Sequence, residues 1–230
     1  MTLSPPRGRP TREGRTERQI GEPALAAAIA GHPRGTLDPE WTPGPALTWA
    51  NLVTWVRIGA CVTCFAIAAH RNNASWNLTG LLVYWALDGL DGLLARVLHQ
   101  ETRMGAQLDI IADRVLIVFF YHNYLTGHPQ LLLPVGLFLF QYIGLDLYLS
   151  LQFLRWPILS PNYFYLVDRR IWALNWSLAA KVGNTGLVTW VILLTGAVEL
   201  ATAVCLGLIA IKVYSWVCLH RLPAPERRWP

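Results

Sequence analysis

Charge is scarce in this chain of 230 residues: Asp, Glu, Lys and Arg make up only 14% of it, against 53% hydrophobic residues. Soluble domains carry about 25% charged residues, so the deficit argues against a water-soluble fold and for a single helical membrane domain. Cysteine is also sparse. The four present, Cys61, Cys64, Cys205 and Cys218, all fall in apolar stretches, and even the C-x-x-C pair reads as small buried side chains with no chemistry. The opening residues lack the apolar run of a secretory signal peptide, so none is expected. There is no internal repeat of 20 to 50 residues.

What charge there is lies in two places. Arg7, Arg9, Arg12, Arg15 and Arg18 crowd a polar, proline-containing leader. Such an arm suits anionic lipid at the cytoplasmic surface better than nucleic acid. The second place is Leu87 to Arg114, LDGLDGLLARVLHQETRMGAQLDIIADR, flanked by LTGLLVYWAL and VLIVFF. Ionised acids in apolar surroundings each cost roughly 2.5 to 3.5 kcal/mol on the insertion scale, so a cluster of them implies a use. Asp88 and Asp91 are three apart and Asp109 and Asp113 four apart. On helices each pair shares a face, and two antiparallel helices joined by a short turn, in which Gly105 would sit, aim all four at one point.

The apolar segments place six spans: Leu47–Ala69, Leu78–Val97, Asp109–Leu125, Leu131–Leu154, Ile171–Leu194 and Ala197–Leu219. An interfacial helix over Ile20–His32 precedes them. The expected fold is therefore an all-α integral membrane protein with six transmembrane helices and a polar cavity facing the cytoplasm. Its parts are a basic leader over 1–45, a membrane domain over 46–220 and a basic tail over 221–230. With both termini cytoplasmic, Arg96, Arg103, Arg155, Arg169, Arg170, Arg221, Arg227 and Arg228 lie inside and Arg71 outside, which satisfies the positive-inside rule for a cell-membrane protein. Asn51, Thr54 and Arg57 step along one side of the first span at its cytoplasmic end; capping or snorkelling accounts for each taken separately, and for Arg57 that reading and a functional one weigh equally. Asp146 is a lone acid in the fourth span, either structurally satisfied or reaching the same cavity.

Carboxylates with no supporting thiolate or histidine set favour Mg²⁺ or Mn²⁺ over zinc, and such ions bridge carboxylates to substrate phosphates. Gly92, Ala95 and Gly105 allow close approach of backbone or nucleotide, and Arg96 offers a planar fork for a diphosphate.

Asp88 to Asp113 fits D-x2-D-G-x2-A-R-x8-G-x3-D-x3-D at every fixed position, and in this the chain resembles the CDP-alcohol phosphotransferases. NLVTWVR resembles the N-x-x-T-x-x-R that opens the first span in that family. The resemblance implies a homodimer of six-helix subunits that binds a CDP-linked donor, usually CDP-diacylglycerol, with two metal ions. By the same resemblance Asp88, Asp91 and Asp109 are metal ligands. Asp113 touches the second metal and is the general base. Asn51, Gly92, Ala95, Arg96 and Gly105 hold the cytidine diphosphate. The reaction implied is attack of an acceptor hydroxyl on the donor phosphorus with release of CMP, that is, phosphatidyl transfer in phospholipid biosynthesis.

Gln100, Thr102, Arg103, the Asp113-Arg114 pair and Gly183-Asn184 make the chain most similar to phosphatidylinositol synthases, so inositol or inositol phosphate leads as acceptor. Arg114, Arg155 and Lys181 would grip a phosphorylated acceptor. A phosphatidylglycerophosphate or cardiolipin synthase type of acceptor is the alternative. Two rivals differ in kind: a prenyltransferase, whose Asp-rich motifs sit in separate repeats, and a cation- or proton-coupled transporter, which needs no Gly92, Arg96 and Gly105 at fixed offsets.

Overall fold

The computed structural model describes residues 43–45 and 47–222, and these are helical throughout, with no strand among them. The expected leader and interfacial helix, and most of the basic tail, lie outside the described residues. The helices follow the caps. Thr48 accepts from the Asn51 N–H at 3.1 Å and starts α1, Trp49–Arg71. Asn72 adopts a left-handed conformation and ends it, and Asn73 accepts from the Ser75 and Trp76 N–H groups to start α2, Ala74–Val97. Two adjacent asparagines thus make a tight reversal, shorter than the 70–77 gap between the first two expected spans. At the far end of α2, His99 turns the chain with φ 52°, and Thr102 caps α3, Arg103–Gly127, through the Gly105 N–H at 2.9 Å. Gly105 is therefore in the first turn of α3 and not in the connecting turn. The helix begins six residues before Asp109 because a threonine cap, invisible to hydropathy, outranks the apolar boundary.

Beyond α3 the chain forms two interrupted rods and a straight helix. The first rod, Pro129–Arg155, is a short 3₁₀ turn, α4 (Leu132–Leu139), a π-helical stretch Phe140–Asp146, α5 (Leu147–Leu151) and a closing 3₁₀ turn. A loop with a 3₁₀ turn at Pro161–Leu166 follows. The second rod, Arg169–Thr195, comprises α6 (Arg169–Asn175), α7 (Leu178–Lys181), a π-helical stretch Val182–Gly186 and α8 (Leu187–Thr195). It breaks at Trp176–Ser177, where Ser177 caps α7, a break the continuous apolar pattern did not indicate. Gly196, with φ 59°, turns the chain into α9, Val198–His220.

Five of these stretches, α1, α2, the two rods and α9, are long and apolar enough to cross a membrane. Five such stretches mark a multi-pass membrane protein. α3 has the length but carries Arg103, Asp109, Asp113 and Arg114 in its first half and does not meet the apolar criterion.

Two apolar clusters hold the bundle together. One joins Phe65, Phe120, Tyr121, Leu131, Phe138 and Ile192. The other joins Phe153, Trp156, Ile158, Phe164, Trp176 and Leu219 beneath the Pro161–Leu166 turn. Large apolar side chains such as Leu82, Leu132, Leu133 and Leu194 point outward, as lipid-facing residues do. α1 and α2 meet closely at Gly80, where a Cβ would come within 2.4 Å of the Phe65 ring. Gly80→Ala should cost about 1–3 kcal/mol from overpacking and lower the unfolding temperature in detergent. An unchanged temperature would mean that the Phe65 ring turns aside freely.

Candidate active site

The two acidic faces converge as their spacing implies, and a third face, from α1, meets them. Asn51, Thr54 and Arg57, at steps of three along α1, are all buried and all face α2 and α3. Arg57 is wholly buried, and its guanidinium sits among four carboxylates. It donates to Asp88 and, at 2.6 Å, to Asp109, and it lies 3.4 Å from both Asp91 and Asp113. Its planar fork faces acids on two helices at once, which a lysine's single ammonium cannot do. Thr54 donates to Asp91 Oδ2 at 3.0 Å. The Arg57 guanidinium also lies 5.6 Å from the centre of the Tyr84 ring.

Asp88, Asp91 and Asp109 each offer an oxygen, and these atoms lie within 4.8 Å of one another. Asp113 Oδ1 is buried without a hydrogen-bond partner. An oxygen-only trio and, beside it, a buried carboxylate oxygen with no hydrogen bond and only the Arg57 charge at 3.4 Å fit a hard divalent cation.

These groups line a cavity of about 480 Å³. All four aspartates, and all five residues assigned to the cytidine diphosphate, Asn51, Gly92, Ala95, Arg96 and Gly105, border it. A Cβ on Gly105 would meet Asn51 Oδ1 at 2.6 Å and Thr102 Oγ1 at 3.0 Å, so glycine there is a requirement of the wall itself. Of the three cations expected to grip an acceptor, Arg114 and Lys181 border the cavity. Arg155 does not; it lies against Gln152 and the Trp156 ring.

Asp146 resolves the ambiguity of a lone acid by being both satisfied and cavity-lining. Its two oxygens accept from Arg114 and from Lys212, each at 2.5 Å. Lys212, wholly buried on α9, also donates to Asn175 Oδ1 at 2.9 Å, and Asn175 donates to Ser215. Arg114 continues to Tyr142 and Ser150, both at 3.3 Å. Tyr142 and Asp146 lie in the π-helical stretch, whose wider turn carries both to the cavity; such stretches frequently mark functional sites. Asn184, in the other π-helical stretch, also borders it and donates to the Leu174 carbonyl at 3.2 Å.

Sequence reasoning gave Arg57 and Lys212 no role. For Arg57 the signal was present, since it completes N-x-x-T-x-x-R, but a lone arginine near a span's end has a common interfacial use. Lys212 sits amid IAIKVYS, and a lysine that far inside an apolar helix is costly enough to have marked a partner.

With their ordinary charges, the five carboxylates Asp88, Asp91, Asp109, Asp113 and Asp146 outnumber the cations Arg57, Arg114 and Lys212 by two.

The family model described as CDP-alcohol phosphatidyltransferase matches residues 47–213. Among curated proteins, a CDP-diacylglycerol–glycerol-3-phosphate 3-phosphatidyltransferase of Cereibacter sphaeroides is 36% identical over 103 residues, covering 41% of this chain and 47% of the relative. Putative cardiolipin synthases of Mycobacterium bovis and Mycobacterium tuberculosis are each 33% identical over 85 residues, 36% of this chain and 39% of the relative. The chain thus spans less than half the length of the curated relatives it matches, and none of these three is named for inositol. No solved structure matches it.

Removing Arg57 leaves the buried acids uncompensated, which costs about 3–5 kcal/mol by the precedent of broken buried pairs. Arg57→Ala should therefore unfold at a markedly lower temperature in EDTA and regain part of the loss in excess Mg²⁺. Equal melting of variant and wild type in EDTA would contradict the electrostatic account.

Proposed function

The chain belongs to the CDP-alcohol phosphatidyltransferase family, and from that premise we propose that it transfers a phosphatidyl group from CDP-diacylglycerol to an acceptor hydroxyl, releasing CMP. The observation that carries the reading is the meeting of Asp88, Asp91, Asp109 and Asp113 around one buried arginine on the wall of a cavity that also holds Arg96 and Gly105.

Asp88, Asp91 and Asp109 would hold Mg²⁺ or Mn²⁺, with Asp113 reaching a second ion. Bound metal supplies positive charge against the diphosphate. Arg96 adds its fork to the diphosphate, and Gly92, Ala95 and Gly105 let the nucleotide lie against the helix backbones. Asn51, pressed against Gly105, fixes that wall. Asp113 accepts the proton from the acceptor hydroxyl. The freed oxygen forms a bond to the phosphorus that carries diacylglycerol, and the bond from that phosphorus to the bridging oxygen breaks, so CMP leaves with the electron pair.

Glycerol 3-phosphate takes the place of inositol as the leading acceptor. The named activity of the Cereibacter relative supports it, and so do Arg114 and Lys181 on the cavity wall, which suit a phosphorylated acceptor. The full arrangement proposed has α3 as the sixth span. The domain covers 46–220 between a basic leader and tail, both termini and the cavity mouth lie on the cytoplasmic side of the cell membrane, and two subunits pair through outward apolar faces.

Membranes containing the protein, CDP-diacylglycerol and Mg²⁺ should release CMP on addition of glycerol 3-phosphate, and less or none with inositol, inositol phosphate or phosphatidylglycerol. Inositol as the best acceptor would restore the original expectation, and no CMP with any acceptor would favour transport. Asp113→Asn should abolish turnover, by roughly 10²-fold or more for loss of a general base, while CMP still binds. Near-normal turnover would remove Asp113 from that role.

A further inference from the structure

The mouth of the cavity is assembled from two pieces of chain far apart in sequence. One is the α2–α3 connection, which contributes Gln100, Glu101 and Thr102. The other is the loop between the two rods, which contributes Ser160, Pro161 and Asn162. Tyr163 donates to Glu101 Oε2 at 2.5 Å and ties the pieces together. Arg103 reinforces the tie by donating to the Leu154 carbonyl at 2.8 Å.

The loop is firmly seated. Trp172 Nε1 donates to the Asn162 carbonyl at 2.9 Å, and the Phe164 ring packs between Trp156 and Trp176, at 5.2 and 4.8 Å between ring centres. Burial and the neighbouring Glu101 carboxylate hold the Tyr163 phenol above its ordinary range, so it remains a donor.

Two polar groups at this mouth are incompletely used. Ser160 is 7% exposed and borders the cavity, yet its hydroxyl has no partner. A buried hydroxyl left so is destabilising, and native structures rarely keep one without a use. Glu101 gives one oxygen to Tyr163, and a carboxylate has capacity for further donors.

Their position relative to the phosphate end is informative. Arg96 borders the same cavity and is close enough to Tyr163 to act on it electrostatically. Asp146, Tyr142 and Ser150 line the same cavity around Arg114, about three turns along α3 from the α2–α3 connection. With a diphosphate between Arg96 and the aspartates, the nucleoside points to the mouth and the acceptor to the Arg114 side. Cytosine carries an amino group at C4 where uracil carries a carbonyl, and both carry a carbonyl at C2. A carboxylate accepts from the amino group and repels the carbonyl; a serine hydroxyl donates to the carbonyl both bases share.

Resting on the reading of the chain as a CDP-alcohol enzyme, we propose that Glu101 and Ser160 form the nucleobase subsite. Glu101 selects cytosine over uracil, Ser160 adds affinity for either pyrimidine, and Tyr163 is a positioning residue that aims the Glu101 carboxylate.

Equilibrium binding of CMP and of UMP to the purified full-length protein in detergent with Mg²⁺ tests this. Wild type prefers CMP. Glu101→Gln, whose amide can both donate and accept, shrinks the CMP-to-UMP preference by roughly tenfold, the scale of one base-reading contact, and UMP binding improves. Ser160→Ala weakens both nucleotides by a similar factor and leaves the preference in place. Tyr163→Phe reduces the preference partway, and its CMP affinity falls less than in Ser160→Ala.

If Glu101 merely docks the loop, Glu101→Gln keeps the Tyr163 hydrogen bond and the wild-type preference, and that result overturns the subsite. So does Ser160→Ala binding CMP like wild type. Wild-type protein that binds neither nucleotide overturns the parent reading and this one with it. The gain of UMP binding in Glu101→Gln cannot arise from misfolding.

Discussion

One guanidinium holds the active end of this protein together. Four aspartates from α2 and α3 converge on the wall of one cavity, Asp91 buried and Asp88 and Asp109 partly exposed, and their mutual repulsion opposes the packing that brings the two helices together. Arg57, delivered by α1 and wholly buried, lies within 3.4 Å of every one of them. The three helices that build the site are therefore fastened by the same charges that give it chemistry. Gly80 against Phe65 and Gly105 against Asn51 set how closely they approach.

The second buried network has a different character. Arg114, Asp146, Lys212 and Asn175 come from α3, both rods and α9 and are linked to one another by hydrogen bonds of 2.5 to 2.9 Å. It ties the later helices to α3 one residue beyond Asp113. Buried pairs of this kind are expensive to assemble and costly to break, so they suit a place where orientation matters more than stability. Together the two networks give the cavity one part built on the aspartates of α2 and α3 with Arg57 of α1, and another built on the rods and α9.

Much of the site was legible in the sequence because its spacing is chemical. Asp88 to Asp113 has fixed intervals that only a shared face on two helices explains, and all nine residues assigned to metal and nucleotide do border one cavity. Span positions were legible too, to within a few residues in most cases. What escaped has physical causes. Arg57 completes N-x-x-T-x-x-R, but an arginine's everyday use at a span's end hid its place among the acids. The π-helical stretches at Phe140–Asp146 and Val182–Gly186 leave no periodic mark over five to seven residues. The break at Trp176–Ser177 occurs within apolar sequence, and the mouth contact between Tyr163 and Glu101 joins residues 62 apart. The inositol expectation rested on short similarities such as Gly183-Asn184, where Asn184 spends its amide on a backbone carbonyl, and none of the named relatives supports it.

The central claim is that the aspartates form a divalent-metal site coupled to nucleotide binding. Titration of Mn²⁺ into the purified protein, followed by electron paramagnetic resonance with and without CMP, tests it most directly. The account predicts saturable Mn²⁺ binding that CMP tightens and that Asp91→Asn removes. Mn²⁺ binding that is indifferent to both CMP and Asp91→Asn would contradict it.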